Sequence, residues 1–377
     1  MKRQKGFSLI EVLIATAVMI GIVGATVGAL TDATRATQAV VMMADTQENL
    51  RAGLNYITRD LTQAGEGIPQ GGITIPTTGV VWPGTGGNFA SGSPAANWSV
   101  LPAISPGYQK GPATTTSNLK TDVVTILYGD TTLQDTNFTP AHWLNEFPFN
   151  LASSCPAGAF TSTGASPNIN TTITFDATNC IHINTGNTGL AVGDLILLQN
   201  NAGSCSGGNS IIASSSCDTN SPGGNMVLQT ITAVNNGANT ITFAPGDALG
   251  LNGRTKVLAG TWTATRVWMI TYYIDNSNTA RPQLMREVNL KGAVPVGDVI
   301  ENLQVFYDLL DPTANPPAIM AAQQESPAVA NLQYIRDAYV FLAARSSTSY
   351  GSSGKYFRNN LETVVSIRGL AFYNEFN

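Results

Sequence analysis

The chain has 377 residues and a formal net charge of -5, and only 11% of its residues are Asp, Glu, Lys or Arg. Ordinary soluble domains contain roughly 25% charged residues, so a polar but nearly uncharged surface of Ser, Thr, Asn and Gly is expected. The sequence has no basic stripe, so it predicts no nucleic-acid partner. The length allows one large domain or two modest ones.

The N-terminus combines a basic leader with a long apolar run. The first six residues carry positive charges at Lys2, Arg3 and Lys5. The stretch from Phe7 to Leu30 that follows has a single charge, Glu11. As a helix this stretch would be about 36 Å long, which is enough to cross a hydrocarbon layer of about 30 Å. The sequence therefore predicts a membrane-spanning helix over residues 7–30, with the leader in the cytoplasm.

Glu11 is the exceptional residue of this apolar run. A carboxylate inside a membrane costs several kcal/mol, so it indicates a function. If the chain is cut after Gly6, the new amine of Phe7 can pair with a carboxylate. The partner could be Glu11 of the same helix, about one turn away, or Glu11 of a neighbouring subunit. The second pairing would set the axial register of a filament whose core is a bundle of these helices.

The residues Lys5-Gly6-Phe7-Ser8-Leu9-Ile10-Glu11 resemble the prepilin processing motif of type IV pilins and type II secretion pseudopilins. In that family a prepilin peptidase cleaves after the glycine and methylates the new N-terminal residue, and the glutamate aids assembly. The resemblance implies that Gly6 is the cleavage residue, Phe7 the methylated residue and Glu11 the assembly carboxylate.

Two alternatives explain the N-terminus without this processing. One is an ordinary secretory signal peptide, with small-residue cleavage sites at 15–17 or 24–26. Glu11 inside the apolar region argues against it, as does the helical pattern that continues beyond. The other alternative is a plain membrane anchor.

The helical pattern continues beyond Leu30 as one apolar stripe with a single polar member, Gln47. Gly65, Gly67 and Pro69 are expected to end the helix. The resemblance implies that the stripe packs on the sheet of the protein's own head, and a coiled coil is the alternative. The stripe consists of Ala33, Ala36, Val40, Met43, Gln47, Leu50, Leu54, Ile57, Leu61 and Ala64. The charged residues off the stripe are Asp32, Arg35, Asp45, Glu48, Arg51, Arg59 and Asp60.

Three glycines interrupt the apolar half of the helix, at Gly21, Gly24 and Gly28. Each lowers helix propensity by about 1 kcal/mol relative to alanine. They indicate either close packing between helices in the membrane or a weak point where the helix can extend on entering a filament.

The remainder of the chain predicts an antiparallel, strand-rich head with turn residues between short strands. A short helix is expected at about 320–336. The predicted fold class is α+β, with the long helix packed on an antiparallel sheet. Strands are predicted at 122–128, 171–175, 194–199, 226–234, 240–243, 266–274, 283–289, 299–309, 338–344 and 361–372. The predicted organisation is leader 1–6, filament-core helix 7–30, amphipathic helix 31–65 and head 66–377, with a β- and loop-rich insertion at about 140–260.

Several diffuse patterns are similar to PilW-type minor pilins, which are related to the J pseudopilins of type II secretion. They lie at Gln47–Arg51, Asp60–Gly65, Ile300–Tyr307, Leu342–Arg345 and Leu361–Arg368. The resemblance implies a minor pilin that helps to initiate or cap a type IV pilus-like filament. Its implied partners are the prepilin peptidase, the major pilin and other minor pilins, and an assembly platform in the inner membrane. The alternatives are a pseudopilin of a secretion or DNA-uptake machine, and a tip adhesin that binds through the insertion.

The insertion contains all four cysteines, Cys155, Cys180, Cys205 and Cys217. Their even number and loop context favour disulfides in an oxidising compartment, and four free thiols are the alternative. Of the three possible pairings, the sequence-local one, Cys155–Cys180 with Cys205–Cys217, is preferred.

Residues with catalytic or metal-binding chemistry are few. The two histidines, His142 and His182, have no metal-ligand partner at useful spacing. Asp130 and Asp135 flank a loop that could bind Ca²⁺, although exposed turn aspartates are far commoner. The sequence predicts no enzyme activity, no cofactor and no metal site.

Overall fold

The computed structural model describes residues 8–69, 72–75, 80–83, 87–88, 100–114, 119–130, 134–135, 142–143, 149–150, 160–163, 170–174, 190–200, 226–252, 262–311, 318–350 and 354–370. The leader, the predicted cleavage residues Gly6 and Phe7, and all four cysteines lie outside these residues.

One continuous α-helix, α1, spans Leu9–Gln63, which confirms the predicted long helix. Its two halves have different surroundings. Every residue from Ser8 to Gln38 is exposed. Full burial begins with Thr46, and from Leu50 onward the apolar members of the predicted stripe are buried in the hydrophobic core. The second half therefore packs on the head, as the resemblance implied.

The head is built from antiparallel strands. In chain order they are β1 (Ile73–Thr74), β2 (Val81–Trp82), β3 (Gly87–Asn88), β4 (Val100–Leu101), β5 (Ile104–Gly107), β6 (Val123–Gly129), β7 (Gln134–Asp135), β8 (His142–Trp143), β9 (Phe149–Asn150), β10 (Phe160–Thr163), β11 (Asn170–Thr174), β12 (Leu195–Asn200), β13 (Met226–Thr230), β14 (Ala233–Asn235), β15 (Thr240–Phe243), β16 (Trp262–Asp275), β17 (Gln283–Val288), β18 (Ala293–Asp298), β19 (Ile300–Asp311), β20 (Ala318–Gln324), β21 (Ile335–Tyr350) and β22 (Lys355–Ser366). The α+β fold class is confirmed.

The largest sheet is organised around the 14-residue strand β16. Five strands lie in the order β13-β12-β16-β17-β18, and β6 and β9 also pair with β16 while β5 pairs with β6. Residues of β16 such as Val267 and Ile270 are almost fully buried. Because β16 is paired on both edges and buried in the core, most of its side chains are apolar.

A second sheet of four strands, in the order β20-β19-β21-β22, lies against α1. Gly53 allows the helix to approach closely. A Cβ atom at this position would lie 2.9 Å from Leu284, 3.1 Å from Ile300 and 3.2 Å from Leu342. The helix thus packs where the two sheets adjoin, and its buried leucines and isoleucines join both to one core.

The described strands of the region expected to be an insertion belong to three sheets, one of which is the short pairing of β7 with β8. Strands β12 and β13 extend the main sheet, and Leu195, Leu197 and Leu228 lie in the main core. Strands β10, β11, β15 and β14 form a separate four-stranded sheet.

The prediction of a helix at about 320–336 is wrong for the first part of that range. Residues Ala318–Gln324 form strand β20, and only Val329–Tyr334 are helical, as a 3₁₀-helix. The long strand β19 offers an edge with which β20 pairs, and this tertiary pairing overrides the helix propensity of Ala, Met and Gln. The strand predicted at 226–234 is also divided, because β13 joins the main sheet and β14 the smaller one.

The C-terminal end of α1 is enclosed by backbone contacts. The Gly65 N–H donates to the Leu127 carbonyl at 2.9 Å, and the Gly129 N–H donates to the Glu66 carbonyl at 2.7 Å. Gly65 has φ +83°, a left-handed conformation that glycine adopts without strain. Gly369 approaches so closely that a Cβ atom there would lie 2.5 Å from the Ala64 carbonyl oxygen.

We predict that Gly369→Ala lowers the free energy of unfolding by about 1–3 kcal/mol, since backbone atoms must move to admit the methyl group. Chemical denaturation of the full chain in detergent micelles measures the change. Gly237→Ala is the control, because the nearest atom to its added Cβ lies 3.6 Å away. Equal stability of the two variants would contradict the predicted close packing.

Candidate functional site

The N-terminal end of α1 is organised by Glu11. Ser8 has an extended backbone and is the N-cap of the helix, and its N–H donates to Oε2 of Glu11 at 2.9 Å. A glutamate at the third helical position accepts this bond as in a capping box. Its negative charge also lies at the positive end of the helix dipole. The carboxylate therefore lies beside the backbone of the residue that directly follows Phe7.

The first half of α1 is an exposed apolar cylinder. The helix contains an apolar window of 18 residues, and none of that window is buried. By length and composition the helix is sufficient to cross a membrane. Large side chains such as Leu9 and Ile20 are 82% and 72% exposed, respectively. Such a surface is stable only in lipid or against other apolar helices.

Threonines in this half satisfy their hydroxyl groups within the helix. The hydroxyl of Thr16 donates to the Leu13 carbonyl at 2.9 Å, and that of Thr26 donates to the Ile22 carbonyl at 2.7 Å. Because unsatisfied polar groups are costly in a hydrocarbon layer, these internal bonds make the segment compatible with lipid.

Residues 1–26 match the family model described as the prokaryotic N-terminal methylation motif. The match supports a type IV pilin-like protein. It covers Gly6, Phe7 and Glu11, and such a motif implies processing by a prepilin peptidase and assembly with other pilins. Comparisons with curated proteins and with solved structures give no match.

A second polar centre joins the helix to the head around Asp60. The Tyr272 hydroxyl donates to Oδ2 of Asp60 at 2.6 Å, and Nε of Arg286 donates to the same oxygen at 2.7 Å. Nε of Arg59 lies 3.4 Å from Oδ1. Asp60 has no exposed surface, so these three side chains take the place of water around its charge.

The environment of Asp60 also affects its neighbours. Burial, and then the charge of Asp60, raise the pKa of Tyr272 well above its ordinary value. The same two causes raise the pKa of Tyr128 to about 12. Burial lowers the pKa of Arg286, but the hydrogen bond to Asp60, the charge of Asp60 and the contact with Tyr272 together outweigh burial, and the pKa is raised. Tyr272, Tyr128 and Arg286 therefore keep their protons at physiological pH.

The interpretation of Asp60 as one of the charged residues outside the buried face is wrong. The structure places it in the interior with Ile57 and Leu61. A signal was present, because Asp60 follows Ile57 by three residues and precedes Ala64 by four, which puts it on the same helical face. Its partners Tyr272 and Arg286 are more than 200 positions away in the sequence, and no local pattern identifies them.

Asp130, considered as part of a Ca²⁺ loop, is engaged in an ion pair. Nε of Arg266 donates to its Oδ2 at 2.6 Å, and both side chains are almost completely buried. Oδ2 of Asp194 lies 3.9 Å from Nη1 of the same guanidinium. Within the described part of the chain, no group of three or more His, Cys, Asp or Glu residues could hold a metal ion.

A further buried carboxylate, Asp122, joins the turn after β5 to strand β19. It accepts hydrogen bonds from the N–H groups of Gln109 at 2.8 Å and Val305 at 2.9 Å. Burial raises its pKa to about 6, although the two backbone hydrogen bonds oppose this shift. The nearby charge of Glu325 adds a smaller increase.

We predict that Asp60→Ala destabilises the protein by about 3–5 kcal/mol, because it leaves Arg286 without its carboxylate partner in a low-dielectric site. Denaturation of the full chain in micelles measures the loss. The control is Asp32→Ala, which removes the exposed pair with Arg35 and is expected to cost about 1 kcal/mol or less. Similar losses for both variants would refute the role assigned to Asp60.

The raised pKa of Asp122 predicts a pH dependence of stability. The folded state binds this proton more tightly than the unfolded state does, so the stabilisation is complete below about pH 4 and is lost as pH rises toward 6. Unfolding free energies measured at pH 4 and pH 7 should differ between wild type and Asp122→Asn, with the wild type losing up to roughly 3 kcal/mol more. An identical pH dependence in both proteins would contradict this assignment.

Proposed function

We propose that this chain is a minor pilin, cleaved between Gly6 and Phe7 and methylated at Phe7. Before assembly, residues 7–30 hold it in the inner membrane, with the head outside the cytoplasm. It then enters a type IV pilus-like filament at the periplasm or cell surface. The observation that carries the proposal is the methylation motif over residues 1–26, which continues into an apolar helix segment that no other described residue covers.

Glu11 supports this proposal through its position. Its carboxylate accepts a hydrogen bond from the Ser8 N–H. Ser8 directly follows Phe7, where cleavage would create the new amine. In apolar surroundings, a methylated amine and a carboxylate each stabilise the charge of the other. Pairing within one helix would shield both charges during insertion, and pairing with a neighbouring subunit would set the axial register of the filament.

The size of the head favours a minor role. The proposed head, residues 66–377, is most of the chain. A large head is accommodated more easily at a filament tip than in every subunit of a tightly packed shaft. The proposed work is to initiate or cap assembly, and the proposed partners are the prepilin peptidase, the major pilin, other minor pilins and the assembly platform.

A pseudopilin of a type II secretion or DNA-uptake machine is the second candidate. The methylation motif supports it equally, and the patterns at Ile300–Tyr307 and Leu361–Arg368 resemble J pseudopilins as well as PilW-type minor pilins. Deleting the chain in its native host separates the two. Loss of surface filaments supports the minor pilin, whereas retained filaments with a lost secretion or uptake phenotype support the pseudopilin.

The deciding experiment is N-terminal sequencing with intact-mass measurement of the chain from its native membrane and filament fractions. A chain that begins at Phe7 with one extra methyl group supports the proposal. A chain that begins near Val18 or Val27 would indicate an ordinary secreted protein and would refute it.

We predict that Glu11→Gln is still cleaved after Gly6 but enters filaments roughly tenfold less than wild type or worse. The neutral amide can still accept the Ser8 N–H bond, but it cannot balance the charge of the Phe7 amine, and a hydrogen bond to a charged group contributes about 1.5–3 kcal/mol. Immunoblots of sheared filaments and membranes measure the ratio. Glu66→Gln, an exposed position at the end of the helix, is the charge-matched control and should assemble normally.

A further inference from the structure

A cleft of about 190 Å³ lies between the second half of α1 and the edge strand β22. Its apolar lining consists of Leu50, which is buried, and Leu361, which is 37% exposed. The cleft is lined by Gln47, Leu50, Arg51, Asn359, Asn360 and Leu361. It is open to solvent and lies on the part of the molecule where helix and head meet.

The cleft gives a reason for Gln47, the one polar member of the apolar stripe. Gln47 is half-buried, one turn before Leu50 and at the rim of the core. In the part of the chain that the structure describes, no hydrogen bond joins its side-chain amide to another residue. An apolar residue here would extend the core by another turn, whereas the amide leaves a hydrogen-bonding group directed at whatever occupies the cleft.

Arg51 differs from the other arginines of the helix. Arg35 pairs with Asp32 at 3.7 Å, and Arg59 contacts Asp60 and lies over the ring of Tyr56. Among the described residues, no carboxylate forms an ion pair with Arg51. Arg51 thus adds to the cleft lining a positive charge that is free of any ion pair with the described residues.

The polar lining has the composition of a carboxylate-binding site. Arg51 offers a planar set of N–H donors that fits a carboxylate. The side-chain amides of Asn359, Asn360 and Gln47 can donate further hydrogen bonds. The apolar lining would contact the methylene groups of an aspartate or glutamate side chain.

The strand beside the cleft can also accept a neighbour. Strand β22 is the last strand in its sheet, and no described strand pairs with its outer edge. Val364, farther along the same strand, is 53% exposed. Unpaired strand edges favour contact with another polypeptide, so a partner segment lying along β22 would bring its side chains to the cleft.

The geometry points to a specific subunit contact: the cleft binds an aspartate or glutamate side chain on a neighbouring filament subunit of a different sequence, with Arg51 as its ion-pair partner. The different sequence follows from the minor role, because copies of a rare subunit are not neighbours. This inference rests on the proposed function. It adds to it the surface of the head that contacts the adjoining subunit and the chemistry of the contacting group.

Charge reversal tests the inference in the native host with the full chain. Arg51→Glu is expected to reduce the amount of this chain in sheared filaments at least about tenfold, the equivalent of ~1.4 kcal/mol, whereas Arg51→Lys retains more than half. N-terminal processing and membrane level should remain normal. Arg281→Glu, which makes the same charge change at an exposed hairpin, should behave as wild type. If Arg51→Glu fails to accumulate, Arg51→Gln is used and should show the same filament defect.

The outcomes separate this inference from the proposed function. If wild type is processed and found in filaments but Arg51→Glu or Arg51→Gln enters them equally well, the cleft inference is wrong and the minor-pilin proposal stands. If wild type itself is unprocessed or absent from filaments, the proposed function fails and the inference fails with it.

Photo-crosslinking identifies the occupant. A photoreactive residue at Asn360 should form an adduct with a peptide of another filament subunit that contains Asp or Glu at or beside the crosslinked position. Changing that acid to lysine should restore filament entry of Arg51→Glu. An adduct with lipid, with a second copy of this chain or with a peptide lacking an acid would overturn the inference, as would failure of the charge swap.

Discussion

A carboxylate without a partner cannot remain charged in a protein interior at low energetic cost, so Asp60 can be buried only where Tyr272 and Arg286 reach it. Both partners belong to the main sheet, on β16 and β17. The helix therefore has one favourable axial position on the head, because a shift by one turn would move Asp60 away from both donors. Apolar packing alone would be less restrictive, since leucines and isoleucines can exchange neighbours with small losses.

The first half of the same helix needs apolar surroundings, whereas Asp60 in the second half needs polar partners. No described residue of the head covers it, and its backbone and threonine hydroxyls are satisfied internally. In the proposed function, lipid surrounds this apolar surface before assembly, and the helices of other subunits surround it afterwards. Glu11 is the one charge between Phe7 and Leu30, and its bond to the Ser8 N–H shows how a carboxylate can be held at a helix N-terminus.

The helix and the strand pattern were predictable because both depend on local periodicity. The stripe that ends at Ala64 and the β-branched, aromatic and other apolar residues of β19 and β21 are visible in short windows. The burial of Asp60 was not predicted, because its partners come from a distant part of the chain. The helix expected at 320–336 failed for a related reason, since the edge of β19 decides the conformation of Ala318–Gln324. The position of Gln47 was apparent as an anomaly, but the cleft beside it requires β22.

Continuity of the helix couples the two proposed contacts. Glu11 and Arg51 lie on one uninterrupted helix, so they are separated by about 60 Å along its axis. A neighbouring subunit that pairs with Glu11 through its amine and fills the cleft with a carboxylate must present both groups at that spacing. Neither contact is selective alone, because every processed subunit carries an N-terminal amine and acidic residues are common. The fixed distance between them provides the selectivity, and Asp60 holds the helix in the position on the head at which Arg51 and β22 line the same cleft.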